Sequence, residues 1–84
     1  MVYVYVLLST TDQHLYTGCT RDLRRRIELH NAGKIESTAG RRPFTLIYYE
    51  ACIREKDAFK REKYLKTTYG KRYIRTRCRA YFTG

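Results

Sequence analysis

The sequence has few cysteines, and none of them belongs to a recognisable metal or redox motif. Cys19, Cys52 and Cys78 are an odd number of thiols at wide spacings. No two of them form a zinc knuckle or a Cys-x-x-Cys pair. We therefore expect all three to be reduced and unligated, which argues against a thiolate metal site or a thiol-redox protein.

Long hydrophobic runs are also missing. The N-terminal run Met1–Leu8 is too short to cross a bilayer and has no basic segment before it. The chain contains no internal repeat, low-complexity tract or interdomain linker, and its 84 residues suffice for only one modest core. We expect one domain over residues 1–84, without a membrane segment and located in the cytoplasm.

Acidic residues are scarce relative to basic ones. Asp and Glu total 8 against 18 Lys and Arg, which gives a net charge of +10 at pH 7. On so small a surface this excess favours a polyanionic partner, and nucleic acid is the leading candidate. Nine tyrosines add stacking faces and phosphate-directed hydroxyls. The alternative is that the charge only keeps the protein soluble.

Hydrophobic patterning and turn residues predict an α/β domain. The predicted strands are Val2–Leu8, His14–Cys19 and Phe44–Glu50, and the predicted helices are Leu23–His30, Arg54–Lys66 and Lys71–Tyr81. The first strand is apolar throughout, as expected of a central strand buried on both faces. We expect a three-stranded, mostly antiparallel sheet flanked by about three helices.

Two further segments have predicted roles. The polar stretch from Lys34 to Pro43 is expected to be a long loop that touches ligand. Gly70 is expected to break the helical pattern before the last helix, whose apolar face would carry Ile74 and Tyr81.

Charged residues interrupt the apolar stripes of the first two helices. Arg26 and His30 share a face with Leu23 and Ile27, so both side chains should point the same way. Taken alone, this could mean that Arg26 extends from the edge of an ordinary stripe while His30 caps the helix end.

Glu62 lies in the apolar stripe of the second helix, between Ala58 and Leu65. A buried, unpaired carboxylate would cost several kcal/mol. Glu62 should therefore be protonated, paired with a base such as Arg26, or bound to a cation. A structural Arg26–Glu62 salt bridge is the alternative to a functional site.

The first two strands bring further polar groups together. In a hairpin Tyr5 and Tyr16 can lie close on one side of the sheet. Gly18, two residues after Tyr16, would leave room for a backbone or a substrate to approach the sheet.

In this order and spacing, these residues resemble the GIY-YIG nuclease domain. The motifs are Tyr3-Val4-Tyr5, Tyr16-Thr17-Gly18, Arg26, His30, and Glu62 within Ala58–Lys66. The resemblance extends from about Val2 to Gly70 and is strongest to small stand-alone bacterial members related to the N-terminal nuclease domain of the excinuclease C subunit. The chain departs from that pattern in lacking the Gly-Ile of the first motif, in carrying Cys19 where some relatives have Lys, and in having no Asn after Asn31.

The resemblance implies a metal-dependent endonuclease with a central three-stranded antiparallel sheet. It implies that Tyr16 is the general base or positions the water, with Tyr5 assisting, that Arg26 stabilises the phosphate and that His30 is an active-site polar residue. Glu62 would hold one Mg²⁺ or Mn²⁺ ion. The expected substrate is DNA in preference to RNA, cut with structural rather than sequence selectivity.

Basic residues outside this set are expected to contact the nucleic acid backbone. They are Arg24, Arg25, Lys34, Arg41, Arg42, Lys66, Lys71, Arg72 and Arg75. Two alternatives to a nuclease use the same charge: a module that binds nucleic acid without cutting it, and a subunit of a ribonucleoprotein held by protein contacts. A module that only binds differs from a nuclease in having no use for Glu62, because a carboxylate aimed at phosphate weakens binding unless it recruits a cation.

Overall fold

Three antiparallel strands form the sheet of this computed structural model, which describes residues 1–84. The strands are β1 (Val2–Ser9), β2 (Leu15–Thr20) and β3 (Phe44–Cys52), in the order β2-β1-β3. β1 therefore pairs on both edges, and all but one of its residues are buried. Tyr5 stands opposite Gly18 in β2 and opposite Tyr49 in β3. The predicted central strand and antiparallel α/β sheet are confirmed.

Helices follow β2 and β3. They are α1 (Leu23–Asn31), a 3-10 helix (Glu36–Arg41), α2 (Glu55–Leu65), α3 (Thr68–Arg77) and the short α4 (Arg79–Thr83). α1 begins where the Asp22 side chain accepts a hydrogen bond from the Arg25 amide, and Thr67 caps α3 in the same way at Gly70. None of these helices has the length and apolar character needed to span a membrane.

Alternation along β1 divides the core into two layers. Val2, Val4 and Val6 face α2 and α3, where they pack with Leu65 and Ile74. On the other face, Tyr5, Leu7 and Phe44 pack against Leu23 and Ile27 of α1. Because successive strand residues point to opposite faces, one unbroken apolar run supplies both layers.

The expected loop from Lys34 to Pro43 is instead partly helical. A 3-10 helix occupies Glu36–Arg41, and the Thr38 amide donates to the Ile35 carbonyl at 3.1 Å. Thr38 is completely buried, although the segment is polar in sequence. The turn forms here because Thr38 has a hydrogen-bond partner in the interior, which periodicity does not reveal.

The last helix was predicted to span Lys71–Tyr81 after a break at Gly70. Its start, its end and the role given to Gly70 are all wrong. α3 begins at Thr68 and contains Gly70, and it ends at Arg77 before the separate α4. A Cβ at position 70 would lie 2.2 Å from the Tyr64 carbonyl oxygen, so glycine allows α3 to approach the end of α2 closely. Ile74 is buried as expected, whereas Tyr81 is 51% exposed.

Candidate active site

The phenol of Tyr5 lies over Gly18 at the β2 edge of the sheet. A Cβ at Gly18 would lie 2.5 Å from the Tyr5 hydroxyl oxygen and 2.7 Å from Cζ. The space expected at Gly18 for a substrate is thus filled by Tyr5, whose long side chain leans across from β1. Gly18 is required because any side chain there would displace the phenol.

A chain of hydrogen bonds connects Tyr5 to the interior. The Tyr5 hydroxyl lies 2.8 Å from His30 Nε2, and His30 Nδ1 lies 2.8 Å from Thr38 Oγ1. His30 is completely buried, so it does not cap the end of α1 as the simpler interpretation would have it. Burial and the Arg26 charge lower the pKa of His30, which leaves the imidazole neutral at neutral pH.

The surroundings of Tyr5 keep its phenol protonated. Burial raises the pKa of Tyr5 to about 12, and the nearby Arg26 guanidinium opposes part of this rise. Tyr16 and Glu62 also lie close enough to raise the pKa of Tyr5 through their charges. These four side chains, from two strands and two helices, therefore lie close enough for their charges to interact.

Tyr16 completes the aromatic part of the site. Its ring centroid lies 6.4 Å from that of Tyr5 and 4.9 Å from that of His30, with the imidazole edge-on. Tyr5 and Tyr16 share the α1 face of the sheet, as the hairpin arrangement predicts. Phe44 closes the cluster behind them.

Arg26 is half-buried on α1 and only partly satisfied. Its Nε atom is buried and has no hydrogen-bond partner in the protein. A buried N–H without an acceptor destabilises a fold by about 1–3 kcal/mol, so its presence points to an acceptor that arrives with a ligand. A phosphate oxygen fits that need. The alternative Arg26–Glu62 salt bridge does not form.

Glu62 reaches the same edge from the opposite face of the sheet. Its side chain is 21% exposed, and its carboxylate lies 3.1 Å from Lys66 Nζ one turn along α2. Burial, together with Glu62, raises the pKa of the Cys19 thiol to about 12. Glu62 is therefore paired, as expected of a carboxylate in an apolar stripe, but with Lys66 and not with Arg26.

The Glu62 carboxylate is the kind of ligand that a hydrated hard cation accepts. No group of three or more His, Cys, Asp or Glu side chains is present that could form a full protein ligand set. Cys19 stays a protonated thiol because of its raised pKa, so it is a poor ligand. One partly buried carboxylate can suffice for a hard cation that keeps several of its own waters.

The structure separates the predicted backbone-binding residues into groups. Arg24, Arg25, Lys34 and Arg42 are exposed near α1, and Arg42 lies against Gly33 at the end of that helix. Lys71, Arg72 and Arg75 line a shallow groove on α3 together with Thr68, Thr76 and Arg79, which we call the α3 groove. Lys66 lies in another groove beside Glu62, which Lys56, Lys60 and Lys63 also line.

Arg41 differs from the other predicted contacts. Its Nε donates to Asp12 at 2.7 Å, and Nη2 lies 3.3 Å from the His14 carbonyl oxygen. This pairing lowers the pKa of Asp12 to about 2. Arg41 therefore joins the 3-10 helix to the β1–β2 hairpin instead of projecting freely toward solvent.

Sequence reasoning missed Thr38, the partner of His30. Its position eight residues after His30 matches neither helical nor strand spacing. The only signal was a threonine in a polar segment, which is too common to be informative.

Comparison with known proteins gives one consistent result. The family model described as the GIY-YIG catalytic domain matches residues 1–75. A UPF0213 protein of Clostridium perfringens (strain 13 / Type A) is 43% identical over 67 residues, which cover 79% of this chain and 71% of the relative. A UPF0213 protein of Haloquadratum walsbyi is 39% identical over 66 residues, covering 77% and 73%.

A solved structure agrees with the fold. The solution NMR structure of a UPF0213 protein from Bacillus halodurans matches with a TM-score of 0.56 and 35% sequence identity. The match covers 90% of this chain and 84% of that protein.

Proposed function

The chain belongs to the GIY-YIG family, and we propose that it is a metal-dependent endonuclease that hydrolyses phosphodiester bonds in DNA. The supporting observation is that Arg26 and Glu62, from two different helices, both lie close enough to Tyr5 to perturb its pKa. We propose further that residues 1–84 are one such domain and act in the cytoplasm.

Arg26 is assigned to the scissile phosphate. Its planar guanidinium can bind two phosphate oxygens at once and stabilise the charge that builds on them. The buried Nε without a partner supports this role, because a phosphate oxygen would supply the missing acceptor. The desolvated position of Arg26 also strengthens its attraction to an anion.

The tyrosines and His30 are assigned to the attacking water. Tyr16 positions the water or acts as its base, and Tyr5 assists through its 2.8 Å bond to His30. A neutral phenol is a weak base, so Tyr5 can take a proton only as it gives its own to His30 Nε2. The lowered pKa of His30 supports this role, since only a neutral imidazole can receive that proton.

Glu62 is assigned to the metal ion. It would hold one Mg²⁺ or Mn²⁺, which supplies positive charge to the phosphate and to the departing oxygen. Lys66 lies 3.1 Å from the Glu62 carboxylate and balances its charge when no cation is bound. We infer that, once a cation occupies the Glu62 carboxylate, Lys66 contacts the nucleic acid backbone instead.

The partner is nucleic acid, and DNA in preference to RNA. The net charge of +10 favours a polyanion, but phosphate contacts carry no sequence information. We therefore infer selectivity for a structure or for single strands. Arg24, Arg25, Lys34, Arg42 and the basic residues of the α3 groove are the proposed backbone contacts.

One cleavage panel tests these assignments. Labelled single-stranded, duplex, flapped and branched DNA, and RNA, are incubated with Mg²⁺ or Mn²⁺ and the wild type, Glu62→Ala or Tyr16→Phe. We expect both variants to lose at least about a hundredfold in rate. Glu55→Ala and Tyr69→Phe, which change an exposed acid and an exposed phenol outside the site, should cleave normally. Cleavage that persists in excess chelator would contradict the metal assignment.

The Glu62–Lys66 pair favours a second candidate, a module that binds nucleic acid without cutting it. In that case the carboxylate is neutralised by its neighbour, and the grooves grip the backbone directly. The two functions differ in the same panel. A nuclease loses cleavage in Glu62→Ala and keeps or strengthens its binding, whereas a binding module shows no wild-type cleavage on any substrate.

A further inference from the structure

Thr38 is a fully buried polar residue that the proposed chemistry does not yet use. Its hydroxyl lies 2.8 Å from His30 Nδ1 and 3.4 Å from the carbonyl oxygen of Ile35. Thr38, His30 and Tyr5 are each no more than 1% exposed. A hydroxyl at such a site is tolerated only because of these hydrogen bonds. It therefore matters which atom donates the proton in each of them.

The Ile35 carbonyl sets the direction of the chain of bonds. When Thr38 donates its single hydroxyl proton to the Ile35 carbonyl oxygen, which can only accept, Oγ1 is left to accept from His30 Nδ1–H. A neutral imidazole has one N–H and one lone pair. Its lone pair then lies on Nε2, where it accepts the Tyr5 hydroxyl proton.

The other groups around His30 are compatible with this arrangement. Tyr5 and Tyr16 face the ring from the strands, Phe44 packs against it, and Arg26 is the charged group on its own helix. None of them except Tyr5 competes for a ring nitrogen by hydrogen bonding. Thr38 therefore decides which nitrogen carries the proton.

We propose that Thr38 is a positioning residue that holds His30 as the Nδ1–H tautomer and so keeps Nε2 open to the Tyr5 proton. The proposal rests on the proposed nuclease function. As the water oxygen bonds to phosphorus and the bond to the departing oxygen breaks, the water proton passes to Tyr5 and the Tyr5 proton to Nε2. The departing oxygen takes a proton from solvent, and His30 later releases its proton through Tyr5 back to solvent.

The opposite tautomer would block this transfer. With the proton on Nε2, His30 would donate to Tyr5 and have no lone pair facing it. Tyr5 could then accept the water proton only on its neutral phenol oxygen, which is a far weaker base than an imidazole nitrogen. Loss of the Thr38 hydroxyl should thus reduce the rate of the chemical step without removing any group that touches substrate.

Two variants separate this role from packing. Thr38→Val keeps the shape and removes the hydroxyl, and Thr38→Ser keeps the hydroxyl. Ring ¹⁵N shifts of ¹⁵N-histidine-labelled protein report the tautomer of His30, with exposed His14 as internal reference. We expect Nδ1–H in the wild type and Thr38→Ser, and a mixed or Nε2–H ring in Thr38→Val.

Cleavage rates complete the test. Thr38→Val should lose at least about tenfold in kcat with KM little changed, while Thr38→Ser stays within about threefold. Ser37→Ala, an exposed neighbour on the same 3-10 helix, is the matched control. An Nε2–H ring in the wild type, or an unchanged ring and rate in Thr38→Val, would overturn the proposal. Absence of wild-type cleavage would overturn the nuclease function, and the ring shifts would still decide where the His30 proton lies.

Discussion

At the scale of single residues, the site depends on contacts that leave no spare volume. Gly18 is the clearest case, because the phenol of Tyr5 occupies the space that a Cβ would need. Tyr5 cannot move aside freely, since it is buried and bonded to His30. Even the smallest side chain added at position 18 is therefore a change at the proposed catalytic centre.

Gly18→Ala should damage both stability and activity. The added methyl group would overlap the Tyr5 ring and lengthen its bond to His30, at a cost of about 1–3 kcal/mol in the free energy of unfolding. Cleavage should fall at least about tenfold. Urea unfolding and the cleavage assay measure the two effects. Gly40→Ala is the matched control, because no atom lies within 4 Å of a Cβ there. Equal behaviour of the two variants would refute this packing argument.

His30 should make the stability of the protein depend on pH. Its pKa is lower in the folded state than in the unfolded chain, so acid protonates the unfolded chain first. Stability is then complete above about pH 6.5 and declines as the pH falls below that value. Urea midpoints at pH 7.5 and 5.5 measure the decline. It should shrink in His30→Gln and persist in His14→Gln, and a decline of equal size in all three proteins would exclude His30 as its source.

The charged residues of the site were predictable, and Thr38 was not. Arg26 and Glu62 interrupt apolar stripes, which is visible from helical spacing alone. Thr38 meets His30 only because the chain reverses after α1, and no periodicity encodes that reversal. The partner of Glu62 was also hidden, because both Arg26 and Lys66 were available and only the three-dimensional arrangement chooses between them.

At the scale of elements, the local hydrophobic pattern determines most helix and strand ends. Close contact between the backbones of two helices determines the others. The strands, α1 and α2 lie within two residues of their predicted limits. These elements have continuous apolar runs or stripes, and α1 also has a side-chain cap at Asp22. α3 does not follow its pattern, because Gly70 serves packing against α2 and does not terminate a helix. The sequence shows the glycine and not the backbone it touches.

Gly70→Ala should destabilise the protein although alanine is the better helix former. The intrinsic gain is about 1 kcal/mol. Against it, the Cβ would lie 2.2 Å from the Tyr64 carbonyl oxygen and 2.4 Å from the Leu65 Cα, and backbone atoms of a packed helix do not move easily. We expect a net loss of about 1–3 kcal/mol by urea unfolding. An unchanged or higher midpoint would mean that α3 shifts on α2 without penalty.

At the scale of the whole molecule, charge controls affinity. Eighteen basic side chains act on a surface of 5839 Å², and few of them are paired. Binding to nucleic acid should therefore release counterions and weaken steeply with salt. The α3 groove contains no acid among its lining residues, so it is the surface where this effect can be localised.

Lys71→Gln should lower the salt dependence of DNA binding. If Lys71 contacts one phosphate, the slope of log K against log salt should decrease by about 1 for duplex DNA. Fluorescence anisotropy between low and moderate salt measures that slope. Arg21→Gln removes an equal charge that is already paired with Glu55, so its slope should change less. Identical slopes in the two variants would place the DNA away from the α3 groove.

The position of the site on both faces of β2 has a mechanical consequence. The phenols lie on one face of the sheet with α1, and Glu62 reaches the same edge from α2 on the other face. One strand of polypeptide separates the phenol side from the carboxylate side. Their spacing is thus set by the thickness of the sheet and by the packing of α2 on it, which changes of length in the surface loops would leave intact.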